Sequence, residues 1–270
     1  MTVTQADFFG WRAHPFADTQ TKFTTSFLAT QDRKLVQQGL SLLSIAKSFA
    51  LTGDSGLGKT TLIAQIMNQL DTHHYLPLLL TYGGLNRSAV LRTLAEQLGV
   101  DTAGRAPLLV KLQKHFRELR EQPNAPFPVL FIDDAHYLER ETLLDLCALL
   151  NLPGKGTAAA AMVLIGHPTL TQCLKLHLMA PVRTRITATF PMEPLDESNC
   201  LAFLKHRLDL AKAPQDLFDR EALNLLASTS RGNRRELVNL ATLALEEAFV
   251  QEQKTIGVQL LLSLTRFDSE

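Results

Sequence analysis

Apolar and polar positions along the chain follow two regimes. Between Phe49 and Phe190, short unbroken apolar runs recur. Phe49–Thr52, Leu76–Thr81, Val129–Asp133, Ala160–Gly166 and Ile186–Phe190 predict buried strands. Around them, Thr30–Lys47, Ser88–Leu98 and Leu108–Arg120 repeat apolar residues at helical spacing and predict helices. Alternation of this kind predicts an α/β fold: a parallel five-stranded sheet in a three-layer αβα arrangement. The stretch "FPMEPLDESN" ends the alternation with Pro191 and Pro194, and Asp196 is suited to cap a helix. Beyond it only helical spacing continues, with Asp219 ahead of "REALNLLA" and a long amphipathic stretch in "NRRELVNLATLALEEAFV". The expected plan is an arm over 1–30, an α/β domain over 31–191 and a helical lid over 192–270.

Composition changes this picture little. Of 270 residues, 46% are hydrophobic and 20% charged, as in an ordinary globular protein. Lys+Arg and Asp+Glu both number 27, so the molecule has no net field with which to hold nucleic acid; only a local patch remains open. Cys147, Cys173 and Cys200 are far apart and read as small apolar residues rather than as a disulfide or metal set. The first residues lack the basic start and apolar core of a secretory leader, and no run reaches membrane-spanning length. The expected location is therefore cytoplasmic, with no membrane partner.

The chemistry concentrates in "TGDSGLGKTT", residues 52–61, set between a strand and a helix. Gly53, Gly58, Lys59 and Thr60 match the phosphate-loop pattern G-x-x-x-x-G-K-[ST]. Backbone N–H groups of Gly53, Asp54, Ser55, Gly56, Leu57, Gly58, Lys59, Thr60 and Thr61 would surround the phosphates of ATP at a helix N-terminus. Lys59 would bridge the β- and γ-phosphates, and the Thr60 hydroxyl would hold Mg²⁺. A chain of this length shows the pattern by chance in about one case in a hundred. "PVLFIDDAH", residues 128–136, supplies the carboxylates: Asp133 for the metal, and Asp134 where a base would orient the attacking water.

With both motifs, the sequence resembles the AAA+ ATPases, which are P-loop NTPases. It is similar in particular to the ExeA/GspA-like group and the related transposition regulators of the TnsC, TniB and MuB kind. "FFGWRAHPF", "FALTGDSGLGKTTL", "VLFIDDAHYL", "MVLIGHPTL", "RTRITATFPMEPLDE" and "STSRGNRRELVNLA" carry the resemblance. The family pattern puts His167 at the polar sensor of the γ-phosphate or the water. It puts Arg185, with Arg183 beside it, at the arginine finger reaching a neighbouring subunit's ATP; a solvated basic turn is the equal alternative. It puts Arg235 at the lid's phosphate sensor, with Arg231 and Arg234 as surface or interface charges. One departure is Asp134, where the family usually has Glu; a carboxylate one methylene shorter implies slow or partner-stimulated hydrolysis. Phe8, Phe9, Trp11, Pro15 and Phe16 fit an aromatic anchor for the arm better than an adenine platform.

Lys111, Lys114, Arg117 and Arg120 lie opposite the apolar stripe of Leu108–Arg120, as a solvated face or a repeated phosphate-contacting patch. Three functions follow from the resemblance. The favoured expectation is an ATP-dependent regulator of DNA transposition that forms a homo-oligomer, ring or filament, on duplex DNA and recruits a transposase. The second is a secretion-pathway assembly ATPase, whose relatives add a membrane span and a wall-binding domain that this sequence lacks. The third is a nucleotide-gated scaffold that hardly hydrolyses ATP.

Overall fold

The computed structural model describes residues 4–17, 26–81, 84–150 and 158–265. The chain divides into two compact units, one of Thr30–Ser55 with Lys59–Met192, the other of Met1–Ala29, Gly56–Gly58 and Glu193–Glu270.

In the first unit the five predicted strands form one sheet: β1 (Ser48–Thr52), β2 (Tyr75–Thr81), β3 (Phe127–Asp133), β4 (Ala161–Gly166) and β5 (Ile186–Pro191). Their order is β2-β3-β4-β1-β5, and every pairing is parallel. Among the described residues seven α-helices accompany them: α2 (Thr30–Ser44), α3 (Lys59–Gln69), α4 (Arg87–Gln97), α5 (Leu108–Glu121), α6 (Arg140–Leu150), α7 (Thr169–Lys175) and α8 (Ala180–Arg183). Parallel strands need such crossovers, so the central strands are apolar on both faces. β1 and β4 are buried at every position. β2 and β5 correct the expectation of five buried strands. They are the sheet edges and only half-buried, with Leu79 of β2 37% exposed. The core joins Leu130, Ile132, Met162 and Leu164 of the sheet to Leu94, Leu112, Phe116 and Leu146 of the helices.

The crossover order places the functional ends together. The C-terminal ends of β1, β3 and β4 lead into the phosphate loop, Asp133–Asp134 and Gly166–His167, where ligands sit in open parallel sheets. Arg87 of α4 holds Asp145 of α6 through two hydrogen bonds of 2.6 and 3.0 Å, fixing those helices against one another.

The second unit is helical: α1 (Gln5–Phe9), α9 (Glu197–Ala211), α10 (Arg220–Ser230), α11 (Arg234–Val250) and α12 (Val258–Thr265). Asp196 and Asp219 cap α9 and α10 as expected, accepting from Asn199 N at 2.7 Å and Ala222 N at 2.6 Å. The aromatic arm is part of this core. Phe9, Trp11 and Phe16 are buried, Phe9 stacks on Trp11 at 4.8 Å, and Phe16 meets Phe218 edge-on. Arg207, itself buried, holds the arm by donating to the carbonyls of Pro15 and Ala17. The three cysteines are free, and Cys147 and Cys200 are buried.

Candidate nucleotide site

β1 ends at Thr52, and Gly53 N still donates to Gly166 O of β4 at 3.1 Å, so the loop leaves the sheet fixed to its neighbour strand. The chain returns as helix at Lys59. Lys59 Nζ reaches back to the carbonyls of Gly53 and Asp54, both at 2.8 Å. Thr60 Oγ1 donates to Asp133 Oδ2 at 2.8 Å across 73 residues of sequence. The metal pair expected from the sequence is thus a pair in space. Asp133 is 6% exposed, and its other oxygen, Oδ1, accepts from Asp134 N at 3.0 Å.

Asp134 follows the strand in the left-handed region, at φ 54°. Non-glycine residues there are uncommon, although Asp is among those that tolerate it, and they concentrate at functional sites. His136, two residues on, is a contact that sequence reasoning missed. Its Nδ1 accepts from His167 N at 3.3 Å, and it packs so closely on Gly166 that a Cβ there would lie 3.0 Å from Nδ1. His136 therefore ties the end of β3 to the loop after β4. Burial holds its imidazole below the ordinary 6.5, assisted by His167 and Lys59 and opposed by Asp134 and Asp133. A neutral ring suits a nitrogen that must accept.

His167, the expected sensor, lies on the same side of the sheet. Its Nδ1 accepts from Thr169 N at 3.4 Å, and its Nε2 faces Asp54 Oδ1 at 3.4 Å. Arg185 is not near these groups. It precedes Ile186, which pairs with Ser48 at the opposite, N-terminal end of β1. It is exposed, while the Arg183 guanidinium donates to Lys175 O at 3.1 Å.

In the helical unit, the tip of the phosphate loop meets the N-terminus of α11. Arg235 N donates to Gly56 O at 3.1 Å, and Arg234 donates to Leu57 O. Arg234 is a correction: it is 9% exposed and anchors the loop instead of lying on the surface. Gly56, at φ +84°, is the only kind of residue that fits, because a Cβ would sit 2.3 Å from Asn233 Oδ1 and 2.8 Å from Arg235 Cβ. A cation at the first position of a helix opposes the helix dipole, and that was the legible clue to Arg234.

The α5 cations do not form an uninterrupted basic face. Lys111 has a side chain only 20% exposed and donates to the carbonyls of Asp101 and Ala103, which removes it from the expected patch. Lys114 lies 3.6 Å from Glu118. Among Lys114, Arg117 and Arg120, Glu118 and Glu121 break the sign.

The residues present suit a magnesium nucleotide: a hydroxyl and a buried carboxylate in contact, a lysine at the loop, and glycines at positive φ. Mg²⁺ keeps several waters and takes few protein ligands, so two suffice. Among the described residues no group of three His, Cys, Asp or Glu side chains could hold a metal ion by itself.

Residues 44–174 match a family model described as an AAA domain. Over 90% of the chain, the solved structures that resemble it include Aeropyrum pernix ORC2 in ADPNP–ADP complexes (TM-score 0.71, 15% identity, 93% of this chain and 71% of that one). They also include Aeropyrum pernix ORC1 in complex with DNA (TM-score 0.67, 13% identity, 94% and 68%). The fold is that of an AAA+ P-loop NTPase. A curated relative, general secretion pathway protein A of Aeromonas hydrophila, is 32% identical over 192 residues, 70% of this chain. This chain spans 35% of that relative's length. Among the described residues no helix is long and apolar enough to cross a membrane.

Proposed function

We propose that this chain is an Mg-ATP-binding ATPase whose nucleotide cycle serves an assembly step in a secretion pathway. The observation that carries the nucleotide reading is the 2.8 Å contact between Thr60 and Asp133, at a loop whose lysine lies on the Gly53 and Asp54 carbonyls. When bound, Mg²⁺ neutralises charge on the phosphates. Lys59 and the loop amides orient the phosphates, Thr60 and Asp133 hold the metal, and Asp134 orients the attacking water. His167, kept in place by His136, faces the same region.

Arg185 stands at the other end of the sheet from its own chain's loop, so an arginine finger at this position acts on the nucleotide of a second copy. The function in trans makes self-association part of the cycle. The 32% identity to the secretion protein supports the assembly reading over the expected regulator of transposition. That no helix among the described residues is long and apolar enough to cross a membrane does not count against it, since only 35% of that relative is matched.

DNA binding is the second reading, favoured by the likeness to an ORC1 structure solved with DNA and weakened by the broken basic face of α5. Two measurements test the proposal. Calorimetry with Mg-ATP gives saturable uptake by the wild type and none by Lys59→Ala; uptake that survives this change refutes the site. Turnover is then measured with and without duplex DNA at two salt concentrations. A salt-sensitive shift of DNA by the ATP-loaded protein, with faster turnover, favours the DNA reading over the assembly reading.

A further inference from the structure

Two neighbouring arginines open α11, and neither belongs there by local rules. A helix N-terminus carries partial positive charge, and its first turn favours Asp, Glu or a capping side chain. Asn233 and Glu236 follow the rule: Asn233 Oδ1 accepts from Arg235 N and Glu236 N at 3.1 and 3.2 Å. Arg234 breaks it, and does so as a charge 9% exposed, where an ion is expensive unless hydrogen-bonded. Such breaches of local consistency mark places where another requirement has prevailed. Here the other requirement is the loop.

The tip of the loop is held by its carbonyls. Gly56 O accepts from Arg235 N, and Leu57 O accepts from the Arg234 guanidinium. A trans peptide is planar, with its C=O and N–H pointing in opposite directions. Two consecutive carbonyls turned towards α11 therefore turn the N–H groups of Leu57 and Gly58 away from it. Those N–H groups are the donors on which phosphate binding by a glycine-rich loop depends. Gly232 secures the other side of the clamp. Its carbonyl accepts from Leu195 N at 2.9 Å, and at φ +76° a Cβ would lie 2.0 Å from Leu195 O.

We propose that Arg234 is a positioning residue for the nucleotide site: with the Arg235 amide it holds the Gly56 and Leu57 carbonyls, and so aims the Leu57 and Gly58 amides at the phosphates. This rests on the nucleotide reading above. It adds to the sensor role expected of Arg235 a neighbour that never touches the nucleotide and works on the protein's own backbone. Filling the loop then stiffens the first turn of α11 through the same two hydrogen bonds.

The test uses the full chain, with Mg-ATP and Mg-ADP as probes in calorimetry. Arg234→Met keeps an unbranched apolar stem and removes the donor; it binds nucleotide about tenfold more weakly or worse, the scale of one hydrogen bond from a charged donor. Arg234→Lys restores a donor and recovers affinity to within about threefold of wild type. Recovery by lysine is a result that a purely packing role would not give. In the wild type, hydrogen exchange of the Arg235 amide slows when Mg-ADP is added. Wild-type affinity in Arg234→Met overturns the clamp while Lys59→Ala still loses uptake, which leaves the nucleotide reading intact. A wild type that takes up no nucleotide overturns both. If Arg234→Met does not fold, the exchange measurement decides alone, and an Arg235 amide indifferent to Mg-ADP refutes the clamp.

Discussion

Asp134 combines two demands that conflict. The chain turns sharply after β3, with Asp134 at φ 54°, a region Asp enters more readily than Glu because its short side chain bonds locally. The base role proposed for this position would favour the longer residue, whose carboxylate would extend one methylene further towards water. The short side chain is thus explained by the backbone as much as by the chemistry. Asp134→Glu is expected to raise the single-turnover rate of ATP hydrolysis about tenfold, a fraction of what general-base catalysis supplies. It should also lower the thermal midpoint, since Glu fits φ 54° less well. Rapid-quench measurement with enzyme in excess checks the first and calorimetric melting the second. A variant no faster than wild type would show that reach does not limit the reaction. Sequence showed both aspartates and their spacing from the loop, but not this φ, because positive φ at a non-glycine leaves no mark in composition.

At the scale of elements, α5 shows how a stripe and its opposite face differ in what they decide. Leu112 and Phe116 are fully buried, while Lys114 has a side chain 74% exposed. Phe116→Ala is expected to destabilise by about 3–5 kcal/mol, through lost burial and the cavity left behind. Lys114→Ala should stay within about 0.5 kcal/mol. Urea titrations of the two variants check both, and a large loss for Lys114→Ala would mean the helix is held by its charges. Asp219→Ala, which removes the cap on Ala222 N, should destabilise the helical unit by about 1 kcal/mol in the same assay. Elements with a one-sided stripe or a capping residue were legible for this reason: α5, α9 and α10 carry their signals locally. α6 was not, because its buried set mixes Thr142 and Asp145 with Leu143, Leu146, Cys147, Leu149 and Leu150, while Leu144 and Ala148 fall outside that set, so polar and apolar residues do not separate into two faces. The edge positions of β2 and β5 were not legible either. Which apolar strand sits at a margin depends on strand order, and order is a property of the crossovers.

For the whole molecule, acid is where both units share a weakness. His136 in the sheet unit and His14 in the arm of the helical unit are both held below the ordinary 6.5, chiefly by burial. At His14 the Glu246 carboxylate opposes that shift and Arg207 adds to it; Nδ1 accepts from Phe16 N at 3.2 Å, and Nε2 is buried. Unfolding exposes each ring and returns it to 6.5. Below that pH the unfolded chain binds protons that the folded chain refuses, so stability falls as pH drops from 6.5 towards the lower folded values. Asp71 and Asp196 act later. Hydrogen bonds hold both carboxyls below 3.8, so their contribution persists above that value and is lost on further acidification. Acid weakening should therefore begin near neutrality, before Asp71 and Asp196 titrate. Urea midpoints between about pH 7.5 and 5.5 should fall in the wild type and fall less in the double variant His14→Gln, His136→Gln. Parallel curves would assign the loss to other groups. A steeper fall in the double variant would mean that protonation stabilises the fold, contrary to a ring that accepts the His167 amide.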